Sequence, residues 1–552
     1  MVSPIGAGLR NRLDRLGWRL SPLYGFTSSV GELFMDTARA GTGEPNRILR
    51  PGETCWKLAH AGRMAVIIDA AAYFTHLKAA ILNARHSILL IGWDFDTRVA
   101  LDRDHPDPGL PNRLGPLLTH AVTHNRQLRV YALRWDLAFL KMPIRGTTPA
   151  FVLATLLHHR LYFRLDSHHP AEATHHQKIV VIDDCVAFCG GIDITSDRWD
   201  TPAHRDQEPH RVTPNGKPHE PWHDVTTAVD GEAARALGEL ARDRWQASTG
   251  WRPEAPTPGR DCWPEGLHPA FRDIDIAIAR TEPAYDGMPE IREIEALYLA
   301  AIAAARRTIY LESQYFAARR ISEALGRRLV EPDGPEVVIV NPKRAEGWLE
   351  EEAMGAARAV LLEELRRSDR HSRLRFYTPV TQGGVDIYVH AKVLVVDDKL
   401  LRVGSSNINN RSLGLDTECD LAVEVCPGDE DAPELRRAIL SVRDSLVSEH
   451  LGVSCDALRA VLQEEDGSLV RTLNRLINPA GKTLVPFTPP ALSDTERALA
   501  RSHLLDPTRP ESMSRTFVRG VRLFAPASVL ALAAAGLFAL GGAALAWRHR
   551  PA

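Results

Sequence analysis

Short runs of β-branched and apolar residues alternate along the chain with stretches of helical period, and the alternation occurs twice. Ala80-Ile-Leu-Asn-Ala-Arg-His-Ser-Ile-Leu-Leu is a helix end running into a strand, and Ala301-Ile-Ala-Ala-Ala-Arg-Arg-Thr-Ile-Tyr-Leu repeats it 221 residues later. Leu128-Arg-Val-Tyr-Ala-Leu and Val337-Val-Ile-Val are matching strands, each preceded by a helical pattern and followed by polar residues. Arg160-Leu-Tyr-Phe returns as Arg373-Leu-Arg-Phe, and His176 as His390, always in the same order. Strands that alternate with helices predict an α/β unit, here duplicated.

The repeat sets the boundaries. Residues 61–250 and 270–452 are the two units, joined by a linker, 251–269, in which Pro253, Pro256, Pro258, Gly259, Pro264 and Gly266 interrupt any regular element. The full 552 residues exceed what one hydrophobic core usually organises. Residues 1–60 form an N-terminal segment, and 453–522 read as helices to about Leu476 followed by a Pro-rich connector. Within the first unit, Thr201 to Pro221 is rich in Pro, Gly and His and reads as a polar insertion outside the core.

Both ends bear on membranes. Leu9, Leu13, Leu16 and Leu20 share one helical face flanked by arginines, which suits either an anionic membrane surface or packing on the domain, and is not a cleavable leader. Phe524 to Trp547 is a run of 24 residues without a charged side chain. As a helix it would be about 36 Å long, enough for a bilayer core of about 30 Å, so one transmembrane helix is expected over 523–547. Gly536, Gly541 and Gly542 in that run would allow close helix approach and self-association.

Composition narrows the class. Hydrophobic residues are 44% and charged residues 25%, ordinary globular usage. A net charge of −3, from 67 Lys+Arg against 70 Asp+Glu, counts against a nucleic-acid partner. Seven scattered cysteines without a Cys-x-x-Cys pair are expected to be buried thiols of a reducing compartment, which places the globular part on the cytoplasmic side.

Each unit carries one copy of a motif: His176-Gln-Lys178-Ile-Val-Val-Ile-Asp183 and His390-Ala-Lys392-Val-Leu-Val-Val-Asp397. On a strand, side chains two apart project to one face, so each His and its Lys point together. Asp183 and Asp397 complete the motif, but an odd separation turns them away from the His and predicts a structural role. Asp184 and Asp398 follow them as turn residues. Seven positions further, Gly190-Gly191-Ile-Asp193 and Gly404-Ser405-Ser-Asn407 offer small residues for close backbone approach. The halves differ there, because an amide at Asn407 can donate to a phosphate oxygen and the carboxylate of Asp193 cannot.

Two imidazoles and two ammonium groups gathered on one substrate suit phosphodiester transfer. A neutral His can attack phosphorus to give a phosphohistidine, the other imidazolium can protonate the departing alkoxide, and the lysines can neutralise the non-bridging oxygens. A nucleophilic His needs its other ring nitrogen held. Asp224, 48 residues after His176, and Glu418, 28 after His390, are the candidate holders. That scheme requires no metal and no cofactor, and neither a His-Glu-x-x-His helix nor a zinc-module spacing occurs, so none is expected.

Together with Thr174-His-His-Gln-Lys178, Arg198-Trp-Asp200, Pro221-Trp-His-Asp224, Glu312-Ser-Gln-Tyr-Phe316 and Gly404-Ser-Ser-Asn-Ile-Asn-Asn-Arg-Ser412, the paired motifs resemble the phospholipase D family over roughly Ala61 to Gly452. The resemblance implies two α-β-α-β-α sandwich domains related by a pseudo-twofold axis. It also implies metal-independent hydrolysis of membrane glycerophospholipids to phosphatidic acid, with transfer to alcohols as a side activity. By it His176 is the nucleophile, His390 the acid, and Lys178, Lys392 and Asn407 hold phosphate. The alternatives are a cardiolipin synthase-type transferase, a nuclease of the same superfamily, and an inactive membrane scaffold.

Overall fold

In the β-strands of the first repeat, alternate side chains enter different cores: Leu89 and Ile91 join one apolar cluster, Ile88 and Leu90 another. The second repeat does the same, with Val393 and Val395 on the shared side and Leu394 and Val396 on the other. A strand buried on both faces reads as an unbroken apolar run, as these do. The computed structural model describes residues 47–136, 155, 158–257, 261–345, 354–426, 428–429, 431–494, 496–497, 500 and 506–510.

The first repeat supplies β1 (Lys57–Ile68), β2 (Ser87–Gly92), β3 (Arg129–Trp135), β4 (Leu161–Asp166), β5 (Ile179–Ile182), β6 (Val186–Gly190), β7 (Trp222–His223) and β8 (Val225–Asp230). The second supplies β9 (Phe271–Glu282), β10 (Ile291–Arg292), β11 (Thr308–Glu312), β12 (Glu336–Val340), β13 (Leu374–Val380), β14 (Tyr388–Val389), β15 (Val393–Val396), β16 (Leu400–Gly404) and β17 (Glu418–Glu424), and β18 (Thr483–Pro486) follows. β1 and β9 pair antiparallel at the centre of one sheet. Outward from β1 the order is β8-β6-β5-β2-β3-β4; outward from β9 it is β17-β16-β15-β11-β12-β13, with β18 added at the edge. Parallel pairing within this sheet falls at the same places in each arm, β2-β3-β4 and β11-β12-β13. A pseudo-twofold axis therefore passes through the β1–β9 pair, and β7 pairs with β14 across it.

Helices cover both faces of this mixed α/β sheet. α1 (Ala70–Asn83) and α2 (Leu114–His124) lie on the first arm. α3 (Gly231–Thr249) and, from the second repeat, α8 (Ala432–Leu451) pack on the core common to both arms, through residues such as Leu237, Trp245, Ile439 and Leu446. α4 (Glu293–Ala304), α5 (Arg319–Val330) and α6 (Ala356–Ser368) cover the second arm. α7 (Asn410–Gly414) is one short turn after β16. Each fully buried leucine or isoleucine in the common core contributes about 1.5–3 kcal/mol, and every such contact made across the β1–β9 seam opposes separation of the arms.

Three expectations change. Residues beyond Gly452 do more than connect: α9 (Cys455–Glu464) and α10 (Leu469–Leu476) bury Leu458, Leu462, Leu469 and Leu473 in the common core, and β18 extends the sheet. The insertion 201–221 has no helix or strand, yet its His204 and Arg211 are buried. The reading of all seven cysteines as thiols is corrected, because Cys185 and Cys262 form a disulfide with Cα atoms 5.8 Å apart. The pair joins the β5–β6 turn to the loop after α3 across 77 residues, a proximity that spacing along the chain does not reveal. The inference to a reducing compartment loses its premise with it. The expected span 523–547 lies outside the described residues; among the described residues no helix is long and apolar enough to cross a membrane.

Candidate active site

Each His-x-Lys segment is the extended lead-in to a central strand, β5 or β15. Its backbone docks on the opposite repeat. The His176 N–H donates to the Thr417 carbonyl at 3.0 Å, and the His390 N–H donates to the His223 carbonyl at 2.8 Å. Thr417 and His223 immediately precede Glu418 and Asp224, so each imidazole is laid beside a carboxylate of the other half.

The rings complete the exchange. His176 Nδ1 lies 2.9 Å from Glu418 Oε2, and His390 Nδ1 lies 2.6 Å from Asp224 Oδ2. Counted along the sequence, each carboxylate belongs with the histidine of its own half; in the fold they trade partners. Holding Nδ1 leaves Nε2 of each ring for a substrate. Burial, then the Lys178 and Lys392 charges, keep His176 well below its usual range. Burial, then Lys392 and Arg198, do the same to His390, and Lys178 and His176 add to it. Burial pushes Glu418 up to about 7 against the pull of Lys178, Ser405, Ser412 and Lys392, and raises Asp224 as well.

The lysines sit in unlike surroundings. Lys178 Nζ is 3.0 Å from Asp193 Oδ2 and donates to the His176 carbonyl at 3.1 Å. Lys392, fully buried, donates to the His390 carbonyl, and among the described residues no carboxylate lies within ion-pair distance of it. Burial lowers it to about 7. Asn407, at the place of Asp193, donates to Gln314 Oε1 at 3.3 Å.

The small residues are explained by what they touch. A Cβ on Gly191 would overlap Asp224 Oδ1, and Ser405 donates to Glu418 Oε2 at 2.6 Å, so these matched positions each support one of the two carboxylates. Asp183 and Asp397 sit at the far ends of β5 and β15. Asp183 accepts from the N–H groups of Arg85, His86 and Ser87 at 2.6–2.7 Å. Asp397 accepts from those of Arg306, Arg307 and Thr308 at 2.8 Å. Each clamps the helix-to-strand turn of its repeat and touches neither imidazole. Asp184 forms a buried pair with Arg242 at 2.8 Å, and Asp398 a half-exposed one with Arg436.

Sequence reasoning left several residues unassigned. Trp222 stacks on Tyr388 at 4.5 Å and lies 5.3 Å from the His390 ring, with the Arg198 guanidinium 3.9 Å above it. Trp222 and Tyr388 border a cavity of about 560 Å³ that also meets Asp197, His219, Lys343 and Asp386. His223 is buried between Glu312 at 2.8 Å and Glu449 at 2.8 Å. Their motifs, Pro221-Trp-His-Asp224 and Glu312-Ser-Gln-Tyr-Phe316, were visible; their contacts across the twofold were not.

A duplicated α/β chain with two crossed His–carboxylate pairs and two buried lysines defines a class of phosphodiester-handling folds. Two domain-family matches agree with that class. The domain family described as "Phospholipase D" matches residues 80–256, and that described as "Cardiolipin synthase, PLD-like domain" matches residues 298–432. A phospholipase D alpha 1 of Carica papaya is 27% identical, over 73% of this chain and 66% of its own. A phospholipase D1 of Schizosaccharomyces pombe is 24% identical, over 73% of this chain and 36% of its own. A phosphatidylserine synthase structure from Haemophilus influenzae aligns with 76% of this chain and 95% of its own, at 13% identity and a TM-score of 0.48. The chain belongs to the phospholipase D family, and spans just under two thirds of the length of the first plant relatives it matches.

Proposed function

We propose that this chain cleaves and transfers the phosphodiester of glycerophospholipids by phospholipase D chemistry. The observation that carries the reading is the crossed pairing of His176 with Glu418 and His390 with Asp224. His176 is assigned as the nucleophile because its side chain is the more exposed, 16% against 6% for His390; burial with the lysine charges keeps both rings neutral in the free enzyme. Nε2 attacks phosphorus, a P–N bond forms, the P–O bond to the head group breaks, and His390 gives its proton to the departing oxygen. The anionic phosphate between the rings favours the imidazolium that His390 needs. In the second step His390 takes a proton from water or an alcohol, whose oxygen displaces His176 and releases phosphatidic acid or its ester. Lys178, Lys392 and Asn407 hold the non-bridging oxygens. The residues clamping backbone, Asp183 and Asp397, keep the strands in place and take no part in the bond changes.

In this reading the apolar run Phe524–Trp547 tethers the enzyme in the plane of its substrate. The match of residues 298–432 to a cardiolipin synthase-type domain favours a second reading, in which the acceptor is the glycerol hydroxyl of another phospholipid. Full-length protein incubated with phosphatidylcholine or phosphatidylglycerol vesicles separates them. Choline and phosphatidic acid, becoming phosphatidylethanol when ethanol is added, support the first; cardiolipin with released glycerol supports the second. Wild-type protein that forms none of these products from either lipid refutes both.

A further inference from the structure

Beside the paired histidines lies a second buried cluster that the reaction does not use. His204, from the insertion, and His223, from β7, face Asp69 at the start of α1 and Glu449 at the end of α8. His204 Nε2 is 3.0 Å from Glu449 Oε1 and 3.5 Å from Asp69 Oδ2. His223 Nδ1 is 2.8 Å from the same Glu449 oxygen and 3.3 Å from Asp69 Oδ1. One ligand atom from each of the four residues can be chosen so that all lie within 4.8 Å of one another.

We propose that these four residues form a structural divalent-cation site of the zinc type, clamping the two repeats together. Bonds of roughly 2.0–2.1 Å to nitrogen and oxygen imply tetrahedral edges of roughly 3.3–3.4 Å; the four histidine–carboxylate spacings run from 2.8 to 3.5 Å, with Asp69 turning a different oxygen to each ring, so side-chain shifts of a few tenths of an ångström would seat the ion. Two imidazoles with two carboxylates suit zinc better than calcium, which prefers six to eight oxygens.

Two further observations point to a cation. The far nitrogen of each histidine is held by another carboxylate, His204 Nδ1 by Asp200 at 2.9 Å and His223 Nε2 by Glu312 at 2.8 Å. This carboxylate–histidine arrangement orients metal-ligating imidazoles and raises their basicity. Glu449 Oε2 is buried without a hydrogen-bond partner, and Asp69 Oδ2 has only the approach of His204 Nε2 at 3.5 Å, on side chains 4% and 0% exposed. The ligands come from both repeats, and His223 adjoins Asp224, so the ion braces the strand that presents the His390 partner without touching the reacting atoms. The sequence reading expected no metal, because ligands 69, 204, 223 and 449 follow no zinc spacing.

The test is metal content and thermal stability, which do not depend on whether the enzyme turns over lipid. Full-length protein purified without chelator is expected to carry about one zinc per chain by elemental mass spectrometry. Zinc returned to chelator-treated protein should raise the melting temperature by several degrees. His204→Gln and Glu449→Gln should lower zinc content at least about tenfold and abolish that rise. Replacement of the stacked helix pair His120, partly buried, and His124, exposed, by Gln should change neither. Wild-type protein that holds no zinc and is not stabilised by added Zn²⁺ overturns the proposal. So do His204→Gln and Glu449→Gln variants that keep the wild-type zinc content, or a loss of zinc in the His120/His124 variant.

Discussion

The two repeats place the same strands around the same axis, yet their lysines are prepared differently. In the first, Asp193 lies 3.0 Å from Lys178 and balances its charge. In the second, Asn407 stands where that carboxylate would be, and Lys392 is buried with backbone as its hydrogen-bond acceptor and no ion-pair partner among the described residues. Duplication builds a scaffold with two matched sockets; one changed residue leaves Lys392 without the carboxylate partner that Lys178 has, so that a phosphate can take that place. The histidines diverge in parallel, one more exposed and facing Glu418, the other more enclosed and facing Asp224. Symmetry supplies the position of the groups, and departures from it divide their roles.

The largest effect should come from breaking the division between the histidines. With a phospholipid, His176→Ala and His390→Ala should each reduce kcat by at least about 10⁴-fold. With a nitrophenyl phosphodiester, whose leaving group departs unprotonated, His390→Ala should recover a single-turnover burst of nitrophenolate to within about 10²-fold of the wild-type first-step rate, its second step staying slow, while His176→Ala shows no burst. Equal recovery of both variants would erase the distinction. The carboxylates should follow their partners. Glu418→Gln and Asp224→Asn should each reduce kcat by about 10²–10⁴-fold, and the activated substrate should rescue the Asp224 variant alone.

Smaller is the effect of making the sockets alike. Lys392, lowered to about 7 by burial, loses its charge as pH rises through that value, so kcat/KM should fall on the alkaline side of about pH 7. Asn407→Asp places a carboxylate beside it, and should move that limb up by about one pH unit or more while lowering the plateau. A limb that does not move in the variant assigns it to another group. The least effect on turnover should follow from residues the halves share. Asp183→Asn and Asp397→Asn take one acceptor oxygen from a set of N–H groups of which those of Ser87 and Thr308 are buried, and should cost about 1–3 kcal/mol of stability by denaturant unfolding, with kcat per folded molecule unchanged.

Most of the fold was readable because its information is local and repeated. Strand periodicity, the matched helix ends and two copies of one motif fix which strands exist and that they occur twice, and the parity of the motif separates His and Lys from Asp183 and Asp397. What could not be read is what the axis brings together. Nothing in the spacing from His176 to Asp224 says that Asp224 holds His390 instead, because the exchange is made by β7 pairing with β14 and by N–H bonds to Thr417 and His223. The Cys185–Cys262 bridge and the burial of His204 are hidden for the same reason: each joins segments distant in the chain. Glu312 and His223 lay inside motifs that were recognised, but a motif does not state which of its side chains turns inward.

Trapping the intermediate tests the division of labour between the repeats most directly. Full-length enzyme should be mixed with a short-chain phosphatidylcholine, quenched within one turnover under alkaline conditions that preserve phosphohistidine, digested, and mapped by mass spectrometry. A site shared within one chain, with His176 as nucleophile, requires a phosphatidyl adduct on the His176 peptide alone, at no more than one per chain. An adduct on His390, or equal labelling of both histidines, would contradict it.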